Sequence, residues 1–272
     1  MIITVDTGGT KTLIASFLED GTIGEQYKFP TPKDTKEYTD TLLAALRERF
    51  LGQTVDAIVV GIPGMIKDGT AVWCNNLKWK NFDVASALHG ALGNAPIFIE
   101  NDANLAGLAE TRQLDEIPEL SLYITVSTGI GSGITTNGTI NQALRNSEAG
   151  RMQVEYDGVV REWETFGSGG AIYRTYNQYA KDIKSKRIWK DIADRISRGL
   201  LAITPVLQPQ VIILGGSIGT FFDQYGDYLQ ALLDEKLPDH IPTPKLVQAK
   251  HPEQAVIYGC YYYALDTLAA TA

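Results

Sequence analysis

The opening seventeen residues, MIITVDTGGTKTLIASF, constrain the fold more than any other stretch of the chain. An apolar run over residues 2–5 passes through Asp6 and a Gly8-Gly9 turn into a second apolar run, 13–17. Two strands about a Gly-Gly turn read as a β-hairpin. The common nucleotide folds instead carry G-x-x-x-x-G-K-[ST] or G-x-G-x-x-G between a strand and a helix. A glycine turn that leads into a strand argues against both. Lacking Cβ atoms, Gly8 and Gly9 let backbone N–H groups close around an anion. Thr7, Thr10 and Thr12 add hydroxyls, and Lys11 adds positive charge. Asp6 would repel a bare phosphate, so its place at the mouth of the turn makes sense with a metal ion between them. The competing reading is an ordinary hairpin that binds nothing.

Two more strands end on glycines. Residues 122–126 run into Ser127-Thr128-Gly129-Ile130-Gly131-Ser132-Gly133, and 211–214 into Gly215-Gly216-Ser217. Three strand-to-glycine turns suggest loops converging on one polyphosphate.

The rest of the pattern alternates strands and helices. Strands are expected near 22–28, 55–61 and 96–99, helices over 38–50 and 84–92, the latter capped by Asp83, and a helix starting over 104–110. Beyond residue 120 the theme repeats: a glycine-turned hairpin over 120–136, helical regions over 162–179 and 188–207, a strand at 211–214, then helices over 225–237 and 255–270. This predicts two α/β domains, 1–113 plus about 255–272 and 114–254, with a nucleotide in the cleft between them.

Composition narrows the function. With 44% hydrophobic and 21% charged residues the chain reads as a folded soluble protein, and no apolar run is long enough to span a bilayer. A net charge of -8 disfavours non-specific binding to nucleic acid or anionic membranes. No basic and apolar leader opens the chain, so a cytoplasmic location is expected. Cys74 and Cys260 fit reduced thiols, and no Cys/His cluster has zinc spacing, so no structural metal is expected.

Taken in order, these motifs resemble the ROK family of repressors and sugar kinases, a branch of the actin-like ATPases, over essentially the whole chain. Asp6-Thr7-Gly8-Gly9-Thr10-Lys11 is similar to its first phosphate loop, and Gly61-Ile62-Pro63-Gly64 to its sugar-side turn. Asn76-Leu77-Lys78-Trp79 resembles its N-L-x-x-W segment, and Glu100-Asn101-Asp102-Ala103-Asn104 its catalytic N-D-A-N segment. Ser127 to Gly133 resembles its second phosphate loop, with Ser127 where Gly is usual. Leu214-Gly215-Gly216-Ser217 is similar to its adenosine loop. The resemblance implies a two-domain actin-like (ribonuclease H-like) α/β fold, with ATP and Mg²⁺, a homodimer, and transfer of phosphate to a hexose or hexose derivative.

Two departures accompany the match. Ser147-Glu148-Ala149-Gly150-Arg151 places Arg151 where the family has a zinc-binding His, and the family's cysteine cluster is missing. The chain resembles a variant without zinc, in which the loop over 145–163 is expected to be mobile until sugar binds. Because the first strand begins at residue 2, the DNA-binding extension of the repressors is not expected.

The resemblance also implies roles. Asp102 is the general base, and its alternative is an N-cap for the following helix. Gly64, Asn76, Asn101, Glu148 and Glu164 bind sugar; Asn76, with Asn75, reads equally as a turn, and the two Glu as surface carboxylates. Arg151 pairs with Glu148 or Glu164, meets an anionic substrate, or is a surface residue. Gly8, Gly9, Thr10, Lys11, Thr128 and Gly129 hold the phosphates. Gly215 and Gly216 give room to adenosine, and Asp6 orients Mg²⁺ through water. The second reading is a sugar sensor that has lost turnover.

Overall fold

The computed structural model describes residues 1–251 and 254–271. The chain divides into two compact units, Met1–Ala109 with Gln254–Ala272, and Glu110–Glu253. Ala272, expected to close the first, lies outside the described residues.

The first unit is built on a five-stranded mixed sheet. Strands β1 (Ile2–Thr7), β2 (Lys11–Phe17) and β3 (Ile23–Pro30) form an antiparallel meander. Helix α1 (Thr35–Phe50) then crosses over to β4 (Ala57–Ile62), which pairs parallel with β1. Asp34 caps α1, accepting from the Glu37 N–H at 2.9 Å. The helix buries Tyr38, Leu42, Leu46 and Phe50 in one cluster with Ile3, Val5 and Ile14. Every residue of β4 is buried, as expected of a strand in a parallel pair covered on both faces.

A small antiparallel sheet of β5 (Met65–Lys67), β6 (Thr70–Cys74) and β7 (Trp79–Asp83) follows. Helix α2 (Val84–Leu88), β8 (Ile97–Asn101) and α3 (Asp102–Arg112) complete the first pass. The main sheet order is β3-β2-β1-β4-β8.

The second unit has a sheet of the same order and sense. Strands β9 (Leu120–Val126), β10 (Ile130–Thr136) and β11 (Thr139–Ile140) form the meander. A hairpin of β12 (Gln153–Tyr156) and β13 (Val159–Glu162) precedes helices α4 (Glu164–Gly167), α5 (Gly169–Tyr176) and α6 (Lys186–Leu207). Strand β14 (Val211–Gly215) pairs parallel with β9. It is followed by the short α7 (Gly216–Gly219), by α8 (Gly226–Lys236) and by β15 (Lys245–Gln248). Trp189, Ile192, Ile196 and Leu200 of α6 pack with Leu122, Ile124 and Ile212 of the sheet.

Helix α9 (Ala255–Thr271) returns to the first unit. It meets α3 at backbone contact, since a Cβ on Gly259 would sit 1.9 Å from the Leu105 carbonyl oxygen.

Three expectations need correction. The helix expected over 84–92 ends at Leu88, although Asp83 caps it, accepting from Ser86 N–H at 3.0 Å. The helical region expected over 162–179 is two helices, because Ser168 leaves the helical conformation and caps the second through Ala171 N–H at 3.1 Å. The segment expected to be a loop over 145–163 contains a 3-10 turn, Ala149–Arg151, and the β12–β13 hairpin.

Candidate active site

In the first unit, β1 delivers Asp6 to the mouth of the first glycine turn. Gly8 N–H donates to the Lys11 carbonyl at 3.0 Å and closes that turn. Thr10 and Lys11 are exposed on it. Thr7 and Thr12, read as hydroxyl donors to an anion, are instead fully buried: Thr7 Oγ1 lies 2.7 Å from Tyr38 Oη, and Thr12 Oγ1 2.9 Å from Thr31 Oγ1. Of the three hydroxyls, those two serve packing.

Asp6 is half-buried, and its carboxyl is pushed up to about 7. Desolvation is the first cause and the negative charge of Asp102 the second, against the opposing pull of Lys11 and Lys28. A buried carboxyl raised by a neighbouring carboxylate in this way marks a place where positive charge is favoured.

Strand β8 ends in Asn101 and α3 begins with Asp102. Asn101 Oδ1 accepts from Asn104 N–H at 3.0 Å, the bond of an N-cap to the third residue of its helix. The alternative role considered for Asp102 is therefore filled by Asn101. Asp102 Oδ1 accepts from Ala103 N–H at 2.8 Å. Asn101 Nδ2 donates to the Gly64 carbonyl at 2.8 Å, so the Gly61–Gly64 turn and the N-D-A-N segment are joined. Gly64 itself is required: its φ is 102°, and a Cβ would lie 2.2 Å from the Trp73 carbonyl oxygen. The buried Glu100 accepts from Asn101 N–H and Asn104 Nδ2 at 2.8 and 3.0 Å and holds the segment from behind.

Asn76 comes next to the glycine turn, its Cβ 3.6 Å from where a Cβ on Gly9 would be. Lys33, which the sequence reading missed, joins the two: Nζ donates to the carbonyls of Gly9 and of Asn76, the latter at 3.0 Å. Trp79 Nε1 donates to the Lys33 carbonyl at 2.8 Å, so the residue is fixed at its backbone too. A lone Lys in a Thr-Pro-Lys-Asp run gives no motif by which to find it.

In the second unit, Ser127 N–H donates to the Gly129 carbonyl at 2.9 Å and shapes the second glycine loop. Ser127 Oγ accepts from Ser217 N–H at 3.1 Å, tying that loop to the Gly215-Gly216 turn. Thr128 packs against the start of α5, its carbonyl oxygen 2.7 Å from where a Cβ on Gly170 would be.

Glu164, at the start of α4, reaches back to the same loop: Oε2 accepts from Ile130 N–H at 2.8 Å. Arg151 Nη1 lies 2.7 Å from Glu162 Oε2 and 3.4 Å from Glu164 Oε1. Glu162 is a second residue the sequence reading missed. Partial desolvation raises the Glu148 carboxyl, with Arg151 opposing and Glu164 adding to the shift. Its side chain stays exposed, so the shift reflects a crowded surface rather than a buried charge.

Among the described residues no group of three or more His, Cys, Asp or Glu side chains is placed to hold a metal ion. Cys74 and Cys260 are buried free thiols, and burial pushes Cys74 up to about 11. A surface groove lined by Ser86, His89, Asn94 and Pro96 contains none of the residues above. Among the described residues no helix is long and apolar enough to cross a membrane.

Residues 2–267 match the ROK family. The chain belongs to the ROK family. A fructokinase of Pediococcus pentosaceus is 25% identical over 236 residues, covering 79% of each chain. An N-acetylmannosamine kinase of Vibrio cholerae is 28% identical over 245 residues, covering 80% of this chain and 84% of its own. The crystal structure of a ROK family glucokinase from Streptomyces griseus, in complex with glucose and AMPPNP, superposes with a TM-score of 0.80. It is 22% identical and covers 97% of this chain and 99% of its own. The fold is thus that of the ROK family structures it matches.

Proposed function

We propose that this ROK chain transfers the γ-phosphoryl group of ATP to a hydroxyl of a hexose or hexose derivative, with Asp102 as general base. The observation that carries the reading is the division of labour at the start of α3: Asn101 takes the capping bond, and Asp102 follows it beside Asp6. In the reaction the sugar oxygen attacks the γ-phosphorus as its O–P bond forms and the bond to ADP breaks. Asp102 takes the hydroxyl proton.

Asn101 keeps one amide hydrogen and one oxygen lone pair beyond its two bonds within the protein, enough to orient one sugar hydroxyl. Gly64 sets the turn beside it, and Asn76 is placed against Gly9 through Lys33. Glu148 and Glu164 accept from other hydroxyls, with Arg151 between Glu162 and Glu164. The backbone of Gly8, Gly9 and Thr10, with Lys11, neutralises one end of the triphosphate. Thr128 and Gly129 meet the other, and Gly215 and Gly216 give adenosine its approach.

A divalent cation fits beside Asp6, whose raised carboxyl needs positive charge. Mg²⁺, which keeps several waters, would be held there through water and would supply charge neutralisation on the phosphates. The resemblance further supports a homodimer, which sedimentation of the purified protein measures.

The test is ADP release from Mg-ATP across glucose, fructose, mannose, N-acetylmannosamine and glycosides, with Asp102→Asn as the blank. Release with one sugar, absent in the variant, supports the kinase and names its substrate. Silence with sugar binding retained in a thermal-shift assay moves the weight to a sugar sensor.

A further inference from the structure

The segments carrying Glu148, Arg151 and Glu164 are all fastened to the strand that leaves the second glycine loop. Ser132 Oγ on β10 donates to the Ser147 carbonyl at 3.1 Å and accepts from Ala149 N–H at 3.2 Å. Gly150 presses on the same strand, since a Cβ there would be 2.4 Å from the Ile130 carbonyl oxygen. Glu164 Oε2 takes the Ile130 N–H, and a Cβ on Gly129 would collide with that oxygen at 2.2 Å. A displacement of the Glu164 carboxylate therefore reaches Gly129 and Ile130 directly.

One oxygen on one N–H leaves a carboxylate free to pivot. Arg151 supplies the second hold. The β12–β13 register sets Gln153 opposite Glu162, and Arg151, two residues ahead of β12, lies alongside Glu162 and Glu164. The same guanidinium nitrogen, Nη1, donates to Glu162 Oε2 at 2.7 Å and pairs with Glu164 Oε1 at 3.4 Å. Two carboxylates already answer its charge, so it is not left as a cation awaiting an anionic sugar.

We propose that Arg151 is a positioning residue: bridging Glu162 and Glu164, it fixes the Glu164 carboxylate on the Ile130 N–H, so that the sugar-side carboxylate and the second phosphate loop move as one body. The inference rests on the kinase reading for what the two groups bind. It adds that sugar and nucleotide affinities are linked through Glu164, in both directions, as any coupling must be.

The test is Mg-ADP affinity, by calorimetry without sugar, of the wild type, Arg151→Met, Arg151→Lys and Glu162→Gln, with the sugar KM of each. Arg151→Met is expected to weaken Mg-ADP about three- to tenfold and to raise the sugar KM alongside, with the melting temperature within about 3 °C. Arg151→Lys recovers part of the loss. Glu162→Gln leaves the guanidinium to Glu164 alone and keeps Mg-ADP affinity within about twofold.

A merely structural ion pair would weaken binding equally in Arg151→Met and Glu162→Gln, and that result overturns the proposal. So does unchanged Mg-ADP affinity in Arg151→Met. Failure of the kinase reading shows separately: the wild type binds Mg-ADP yet releases none from Mg-ATP with any sugar. A wild type that does not bind Mg-ADP overturns both.

Discussion

Asn101 Oδ1 accepts the Asn104 N–H at 3.0 Å, so the cap of α3 belongs to the residue before Asp102. Replacing Asp102 then leaves the Asn101–Asn104 capping bond in place. Asp102→Asn keeps an oxygen for the Ala103 N–H and relieves repulsion on Asp6, so the variant should fold with a melting temperature at or above wild type. Its turnover should fall by about 10²–10⁴, the usual worth of a positioned general base. Asn101→Ala should behave in the opposite sense. It loses the cap and the bond to Gly64 and costs about 0.5–2 kcal/mol of stability, measurable by denaturant unfolding. Full turnover in Asp102→Asn would remove it from the base role.

Asp6 gives the protein a pH dependence of known sign. Its folded-state carboxyl lies near 7 and its ordinary value near 3.8, so between these the folded state holds a proton that the unfolded state has lost. Stability from this group is full below about 4 and declines as the pH rises towards 7. The loss is of the order of 1–4 kcal/mol, and a divalent cation at the site opposes it. Asp6→Asn should therefore raise the melting temperature at pH 8 and leave it nearly unchanged at pH 4. Added Mg²⁺ should stabilise the wild type and not the variant. A melting curve of the variant that parallels wild type at both pH values would contradict this origin of the shift.

Much of the candidate site was legible because it is made of glycines and acids at strand ends. The first turn, the Gly64 turn and the start of α3 each combine a buried strand with a residue type that few other positions demand. What escaped was of two kinds. Lys33 and Glu162 act through side chains that reach another segment, and no local pattern announces such a reach. The β5–β6 and β12–β13 hairpins did carry a signal that was passed over: Asp68-Gly69 and Asp157-Gly158 both have positive φ at each residue, the requirement of a two-residue hairpin turn. Thr7 and Thr12 show the converse error. Hydroxyls beside a glycine turn suggested a phosphate, yet alternation along β1 and β2 sends both side chains into the core.

Gly216 offers a stability test with an internal control. Its φ is 78°, and a Cβ would lie 2.6 Å from Ser127 Oγ and 2.7 Å from both Thr125 Oγ1 and the Val126 carbonyl oxygen. Gly52 has a similar φ of 84° but open space around it. Gly52→Ala should cost about 1 kcal/mol, the backbone penalty alone. Gly216→Ala adds overpacking of about 1–3 kcal/mol and pushes on Ser127. Chemical denaturation should separate the two variants, and nucleotide binding should weaken only in Gly216→Ala. Equal destabilisation would mean that the Ser127 contact is easily relaxed.

The β12–β13 hairpin is held by packing, and this makes a prediction about metal removal. Tyr156 stacks on Phe166 at 4.5 Å, with interplanar angle 4°, while Arg195 lies over the Tyr156 ring and pairs with Asp191. Tyr176 Oη donates to the same Asp191 at 2.6 Å, and Arg195 Nη1 donates to the Phe166 carbonyl at 3.2 Å. Arg195 is nearly buried, so Arg195→Met leaves Asp191 short of its counter-charge and should cost about 2–4 kcal/mol. The cost sits toward the lower end of that range because Asp191 retains solvent. Chelation should act differently: with the hairpin fastened by aromatic and guanidinium contacts, EDTA should leave the melting temperature of the nucleotide-free protein, prepared without Mg²⁺, unchanged. Phe166→Ala, which removes the stacked ring, should lower it by more than any chelator. A large drop with EDTA at constant pH, reversed by Zn²⁺ and not by Mg²⁺, would show that a metal rather than Tyr156 and Arg195 fastens the hairpin.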